Sequence, residues 1–440
     1  MKAHFHSEGC RAQHGDHHEE AVAQAASQQV DKRSALRFHR DGRASGHDYY
    51  PGKNSEREDF LNRQAAQHAK QYQPGVLRDL AVQIHHATIA RAAAEASVAT
   101  GMRRGPLPAR NQFPTVLPFL LFSSEPAVTQ PPQRLRVGLT YDRANTFVKS
   151  GGIVEQLDSP GRRNPFTAAT VQRIVHNQPA ADAFLLDCEV SRWTLRTEYA
   201  PLAQLSFAAE LPVLRVGGYF MDPVIEGFHQ FFSLPQGGRP AFLRHDTSVF
   251  LYFDQQLFFG NGPDLAGIGV GDLSLLVKRE FATGGKWRPA LAARAALELP
   301  TGSAKKLRGN GAIDFGVALS ASWAWPRHWL DLNLAVTKPG RWQILPELEL
   351  SPIYAIILIY EHAFGERLSL LVQDRHTSSP LAVVTRAGIS RMAHEITAGM
   401  KLDGSHGLRW SIALTENYAY FNSSPDLGLQ VGVEAGWPKW

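Results

Sequence analysis

Cysteine is almost absent. Cys10 and Cys188 are the only two in 440 residues, too few for a disulfide framework or a multi-cysteine zinc site. Long apolar runs are missing too. The longest, residues 115–122 (TVLPFLLF) and 354–360 (YAIILIY), fall well short of the roughly 18 residues a spanning helix needs. That excludes a helical membrane protein but not a barrel, whose lumen-facing residues dilute the hydropathy of every strand. Charge of one sign is not concentrated either: the net +5 is spread along the chain, and no nucleic-acid partner is expected.

The first hundred residues lack tryptophan and hold few large apolar side chains, yet carry ten of the eighteen histidines. Such a segment buries too little apolar surface to offset its chain entropy, so residues 1–103 are expected to be a low-order extension. One helix is expected within it over 76–99, from the spacing of Leu77, Leu80, Ile84 and Ile89. His4, His6, His14, His17, His18, His85 and His86 are irregularly spaced, and adventitious metal binding is the expectation, with no metal site and no cofactor. The opening MKAHFHSEGCRAQH contains no apolar stretch of export-signal length. An exported barrel then implies a different start site or an unusual export route.

What is present, from about residue 104 onward, is alternation. A transmembrane strand needs about 9–11 residues with apolar and polar side chains on opposite faces. Leu135, Val137, Leu139 and Tyr141 alternate with Arg134, Arg136, Gly138, Thr140 and Asp142. Leu273, Leu275 and Val277 oppose Ser274, Lys278 and Glu280; Ile313, Phe315, Val317 and Leu319 oppose Asp314, Gly316, Ala318 and Ser320. The final segment alternates Leu427, Leu429, Val431, Val433, Ala435 and Trp437 with Gly428, Gln430, Gly432, Glu434 and Gly436. A soluble antiparallel sandwich alternates as well. Two features favour a barrel: polar faces rich in Gly, Ser and Thr with mixed charges, and Trp287, Trp323, Trp325 and Trp329 near turns, as in an interfacial girdle.

Thirteen candidate strands are legible, an odd number. Short turns at 200–203, 283–287, 325–327, 364–366 and 403–407 alternate strictly with long connections once the segment 246–259 is left out of the wall. The expected fold is therefore an all-β, antiparallel up-and-down transmembrane barrel of twelve strands within a domain spanning 104–440. Residues 216–270 form one long outer loop, and both ends of the wall are periplasmic. A lumen of this size could be a narrow pore or be plugged.

The residues also carry a resemblance. Gly105-Pro106-Leu107-Pro108-Ala109-Arg110-Asn111-Gln112, with Pro114 and the apolar 116–121 after it, resembles the opening of an uncharacterised bacterial family, domain of unknown function 3187. The resemblance continues at 217–239 with its Glu226-Gly227-Phe228-His229 motif, at 267–278, and at 297–319 around Leu299-Pro300-Thr301-Gly302. It implies a Gram-negative outer-membrane β-barrel over about 104–440 and brings no catalytic residues.

Candidate functional residues follow from the alternation. Arg134, Arg136, Arg192, Arg196, Glu198, Glu210, Lys278, Glu280, Arg294, Glu298 and Asp314 should face the lumen. They must be hydrated or cross-paired, and pairing would narrow the pore and leave little ion selectivity. In the outer loop, a short helix near 222–234 gathers Val224, Ile225, Phe228, Phe231 and Phe232 on one apolar face. We expect it to pack on its own barrel, the alternatives being an interfacial helix or a lid. The glycines of 267–271 precede a strand rather than a helix, so they are a flexible strand start and not a phosphate loop. Asp374, His376, Ser378 and Ser379 lie close in sequence but lack the context of a hydrolase triad. The leading expectation is a barrel that passes or binds a small solute. The alternative is a structural or surface-interaction barrel with a plugged lumen, and an embedded hydrolase ranks third. Expected partners are outer-membrane lipid and the machinery that inserts barrels.

Overall fold

A computed structural model describes residues 103–440, apart from 160, 178–180, 219, 234, 286, 386, 420–421 and 438–440. The helix expected over 76–99 and the amino-terminal histidines lie outside the described residues. The described strands are β1 (Arg134–Lys149), β2 (Ala183–Leu202), β3 (Leu205–Gly217), β4 (Ser248–Phe253), β5 (Gln256–Asn261), β6 (Ile268–Val270), β7 (Leu273–Ala282) and β8 (Ala290–Leu299). They continue with β9 (Asp314–Trp325), β10 (His328–Lys338), β11 (Ile353–Phe364), β12 (Leu368–Thr377), β13 (Ala393–Asp403), β14 (Leu408–Ala419) and β15 (Leu427–Trp437).

Twelve of these strands close on themselves. Antiparallel pairing runs from β1 through β2, β3 and β7 to β15, and β15 returns to β1 with Leu135 opposite Trp437 and Asn145 opposite Leu427. The outward face carries exposed Leu139, Leu195, Phe207, Leu275, Val317, Ile356, Leu370, Ile412 and Val431, the apolar belt of a barrel that sits in lipid. Inward neighbours such as Glu198, Glu210, Lys278, Asn333, Glu361 and Gln373 are buried. Short turns lie at one end, with the start of β1 and the end of β15; long connections lie at the other. We call these the turn end and the loop end.

The segment left out of the wall is a hairpin. β4 and β5 pair through a tight turn at Asp254 and Gln255, both at positive φ, and β4 pairs with residues 183–187 of β2. β2 has 20 residues, about twice what a bilayer requires. Its first eight are buried on both faces, so this stretch stands above the belt as the centre of a small two-sided layer. One face packs on Val249, Leu251 and Phe113 through Phe184, Leu186 and Cys188. The other packs through Leu185 against Phe166, Phe242 and helix α1 (Ala168–Asn177), which contributes Val171 and Ile174.

Trp329 departs from the girdle expectation. It is 1 % exposed and shares the inner face of β10 with Asp331 and Asn333, whereas Trp287 is 74 % exposed at the turn end. The register decides this: Leu330, Leu332 and Leu334 take the lipid face, which forces their odd-numbered neighbours inward.

Candidate functional site

The lumen is occupied by the chain itself. Residues 103–133, directly before the wall, enter at the turn end, rise to the loop end, reverse, and descend to β1. Seven prolines in this stretch (Pro106, Pro108, Pro114, Pro118, Pro126, Pro131 and Pro132) remove the N–H groups a strand would need, so it cannot join the ladder. Its remaining backbone groups still require partners. Wall side chains supply them.

The rising arm begins at Glu361 on β11, whose two carboxylate oxygens accept the N–H groups of Arg104 (2.8 Å) and Gly105 (2.9 Å). Arg103 reaches Asp331, and Arg104 reaches Asp403 at 2.9 Å. Higher up, Gln373 donates to the Leu107 carbonyl and Arg375 to that of Ala109, at 3.1 and 2.7 Å. The apex is a turn over 113–119, tied by Asn111 Oδ1 accepting from Phe113 N at 2.7 Å. There Phe113, Val116, Leu117 and Phe119 pack against Trp342, Leu345, Leu381 and Ile389 of the long loops, and the Phe119 and Trp342 rings meet edge-on at 5.4 Å. This apolar cluster covers the apex of the hairpin at the loop end.

On the descending arm Asp314 accepts from Leu120 N and Arg294 donates to the Ser123 carbonyl, each at 2.9 Å. Asn333 takes Glu125 N and Glu280 takes Thr129 N, at 2.8 and 2.9 Å. Arg110 Nη1 ties the two arms through the Leu121 carbonyl at 2.8 Å. At mid-depth Glu125 meets Arg196 (2.6 Å), Lys278 (3.0 Å) and Arg294 (3.5 Å). Arg196 also pairs with Glu198 and Glu210, and Glu210 pairs with Arg110.

The structure places all eleven charges singled out from the sequence on the inner face. Arg196, Glu198, Glu210, Lys278 and Arg294 come together around Glu125 or its partners. Glu280 and Asp314 hold hairpin backbone, while Glu298 accepts from Ser274 (2.9 Å) and Arg192 donates to Thr194 (3.1 Å). Arg134 and Arg136 line an open space. Sequence reasoning missed Glu125, Arg110, Glu361 and Arg375, and it missed that most of the inward charges bind a hairpin rather than border water. The available signal was a proline-rich, apolar segment directly before the first strand.

The open space is a cavity of about 480 Å³ between the hairpin and the side of the wall formed by β1, β2 and β15, lined by Arg134, Arg136, Thr140, Glu198, Lys278 and Glu434 among others. It opens toward the turn end, where Val128 is 37 % exposed. Toward the loop end it adjoins a second space of only about 20 Å³, with which it shares Arg110 and Asp142. That is room for about one water molecule.

Outside the lumen, the loop helix α2 (Met221–Phe231) is held by its polar side. Glu226 receives Arg163 and Arg244 at 2.8 and 2.5 Å, and Asp222 receives Arg239 at 3.0 Å. Ile225 is buried with them, but Val224, Phe228, Phe231 and Phe232 are exposed, which corrects the expectation that this face packs on the barrel. The arginine contacts fix which side of the helix turns inward.

His376 Nε2 lies 2.9 Å from an Asp374 carboxylate oxygen and its Nδ1 2.6 Å from His394 Nδ1, while Ser378 Oγ accepts the Tyr354 N–H (2.8 Å). These residues form no nucleophile–base–acid chain. Among the described residues no cluster of three His, Cys, Asp or Glu could hold a metal ion.

The chain is similar, at low identity, to solved barrels that include the following. An outer membrane channel from Pseudomonas putida F1 shares 12 % identity with TM-score 0.44, over 71 % of this chain and 98 % of that one. The KdgM porin shares 5 % identity with TM-score 0.34, over 68 % and 98 %. The Pseudomonas putida toluene transporter TodX shares 10 % identity with TM-score 0.30, over 70 % and 90 %. No curated protein matches the chain. Residues 83–437 match the family described as protein of unknown function (DUF3187), and the chain belongs to that family.

Proposed function

We propose that this protein is an outer-membrane channel for small solutes, held closed in this structure by its own lumen hairpin. The turn end faces the periplasm and the long loops face outward, as short turns and long loops do in bacterial barrels. The observation that carries the reading is the cavity of about 480 Å³, bordered by charged side chains, that adjoins a water-sized space beside Arg110. A barrel that served only as a scaffold would have no need of an open vestibule leading to a waist. Solute passes when the rising arm, 106–112, moves off the wall at Arg110 and Asp142.

One observation favours a permanent plug instead: the hairpin backbone is bonded on both arms by buried wall side chains. Planar-bilayer conductance separates the two. The whole chain is compared with a variant in which 106–130 is replaced by a short Gly-Ser linker, and with Arg110→Ala in the intact hairpin. Folding is checked by the shift in gel migration on heating. Low wild-type conductance that rises several-fold in both variants supports a gated path. Folded variants that conduct no better than the wild type would overturn it.

A further inference from the structure

We infer that α2 is a membrane-interface helix whose phenylalanine stripe inserts into the lipid leaflet at the loop end of the barrel. The inference rests on the reading of the wall as membrane-embedded and goes beyond it, because loops of a channel need not touch lipid.

Phe220, Val224, Phe228, Phe231 and Phe232 are 58, 55, 50, 80 and 56 % exposed. Residues 220, 224, 228 and 231 recur at the spacing of a single helical face. The rings of Phe228, Phe231 and Phe232 contact one another, with Phe228–Phe232 and Phe231–Phe232 centroids 4.7 and 4.9 Å apart. The opposite face, with Ile225, Asp222 and Glu226, is the one that docks. An exposed row of large apolar side chains on a soluble loop marks an interaction surface.

Lipid is the occupant because of where the helix is tied down. Met221 N–H donates to Glu189 at 2.7 Å, and the Arg143 guanidinium lies 4.2 Å from the Phe220 ring. Arg143 and Glu189 project from the outward face of β1 and β2, in the same rows as Leu139 and Leu195. The residues just below them in those rows include Tyr141 and Trp193, whose rings lie 5.1 Å apart. Such an aromatic pair sits where acyl chains give way to headgroups. Arg143 follows Tyr141 by two residues, about 6–7 Å along the strand, comparable to the ~5–10 Å depth over which interfacial helices insert. The phenylalanine stripe is therefore continuous with the lipid-facing belt.

The test is spin-label accessibility in the full chain, reconstituted in phosphatidylcholine vesicles. Cys10→Ala removes one thiol, and Cys188 is buried and stays unlabelled. Single labels are placed by Phe231→Cys on the stripe, Gln230→Cys beside it, and Leu195→Cys on the wall. All three sites are on the surface, so folding is preserved. The expected result is preferential collision with oxygen at 231 and 195, and with a water-soluble nickel chelate at 230. Nickel access at 231 with oxygen access at 195 would place the helix in water and overturn the inference. Shielding from both reagents at 231 would indicate a protein partner or second copy and also overturn it. Nickel access at 195 would remove the membrane reading itself, and the inference with it.

Discussion

Glu125 Oε2 lies 3.0 Å from Lys278 Nζ in the middle of the lumen, with Arg196 and Arg294 closing on the other carboxylate oxygen. Three wall cations converge on one hairpin anion, and all four side chains are largely removed from water. Removing the carboxylate charge leaves three buried cations facing a neutral group. Breaking a buried pair in this way costs about 3–5 kcal/mol. Glu125→Gln is therefore expected to lower the denaturant midpoint of the barrel and to raise its conductance. Equilibrium unfolding in urea followed by tryptophan emission reads the first, and planar bilayers read the second. Wild-type behaviour in both assays would mean that the hairpin is held by its backbone contacts alone.

Arg375 tests those backbone contacts. It donates to the Ala109 carbonyl at 2.7 Å and the Phe122 carbonyl at 3.2 Å, one on each arm of the hairpin. Arg375→Met keeps much of the side-chain volume and removes both donors. Two buried acceptors left without partners cost about 1–3 kcal/mol each. The variant should shift the temperature at which the folded band is lost on an unboiled gel, and its hairpin amides should exchange hydrogen faster than those of the wall. Equal exchange in variant and wild type would assign the anchoring elsewhere.

The wall was legible because its physics is local and periodic. Leu427 through Trp437 alternates without interruption, and a one-residue slip would turn Leu429 and Val431 into the lumen. The same parity places Trp329 inside, although its nearness to Trp323 and Trp325 suggests a girdle. The hairpin was not legible, for the opposite reason. Gly105 finds its acceptor on Glu361, 256 residues away, and Leu120 finds one on Asp314, 194 residues away. No period encodes a backbone whose hydrogen bonds end on distant side chains. The loop helix was half legible. Its apolar stripe could be read, but the outward turn of that stripe is set by Arg163, Arg239 and Arg244, which sequence alone does not connect to Glu226 and Asp222.

The Glu226 clamp joins the β1–β2 connection to α2, and its titration has a definite sign. Burial acts to raise the carboxyl, but hydrogen bonds from Arg244 and Arg163 outweigh it and hold Glu226 below its usual 4.5. A depressed carboxyl stabilises the fold above its unfolded value and loses that contribution as pH falls through the lowered one. The outer loop should therefore stay closed from neutral pH down to about 4.5 and loosen below it. Glu226→Gln should loosen it at pH 7. Hydrogen exchange across 221–231 as a function of pH reads both. Loosening that begins near pH 6 in the wild type would point to a different group.

The last prediction concerns selectivity. The vestibule is lined by nine arginines and lysines against five carboxylates. Several cations are satisfied within the network: Lys401 pairs with Glu434 at 3.0 Å and Lys278 with Glu125. Arg136 also pairs, with Glu198 at 3.9 Å, but its side chain keeps 30 % exposure. Arg134 stands at the mouth, one rung below it on the same inner row of β1. These two set the sign of the field that an entering ion meets, because charges at a pore mouth act through low-dielectric walls. Where the sequence suggests little ion selectivity, this excess of cations predicts a weakly anion-selective vestibule. In a KCl gradient the reversal potential should lie on the chloride side. Arg134→Gln with Arg136→Gln should move it toward zero while conductance falls by less than half. A potential unchanged by the double substitution would shift selectivity to Arg110 at the waist, where a single charge borders a space the size of one water molecule.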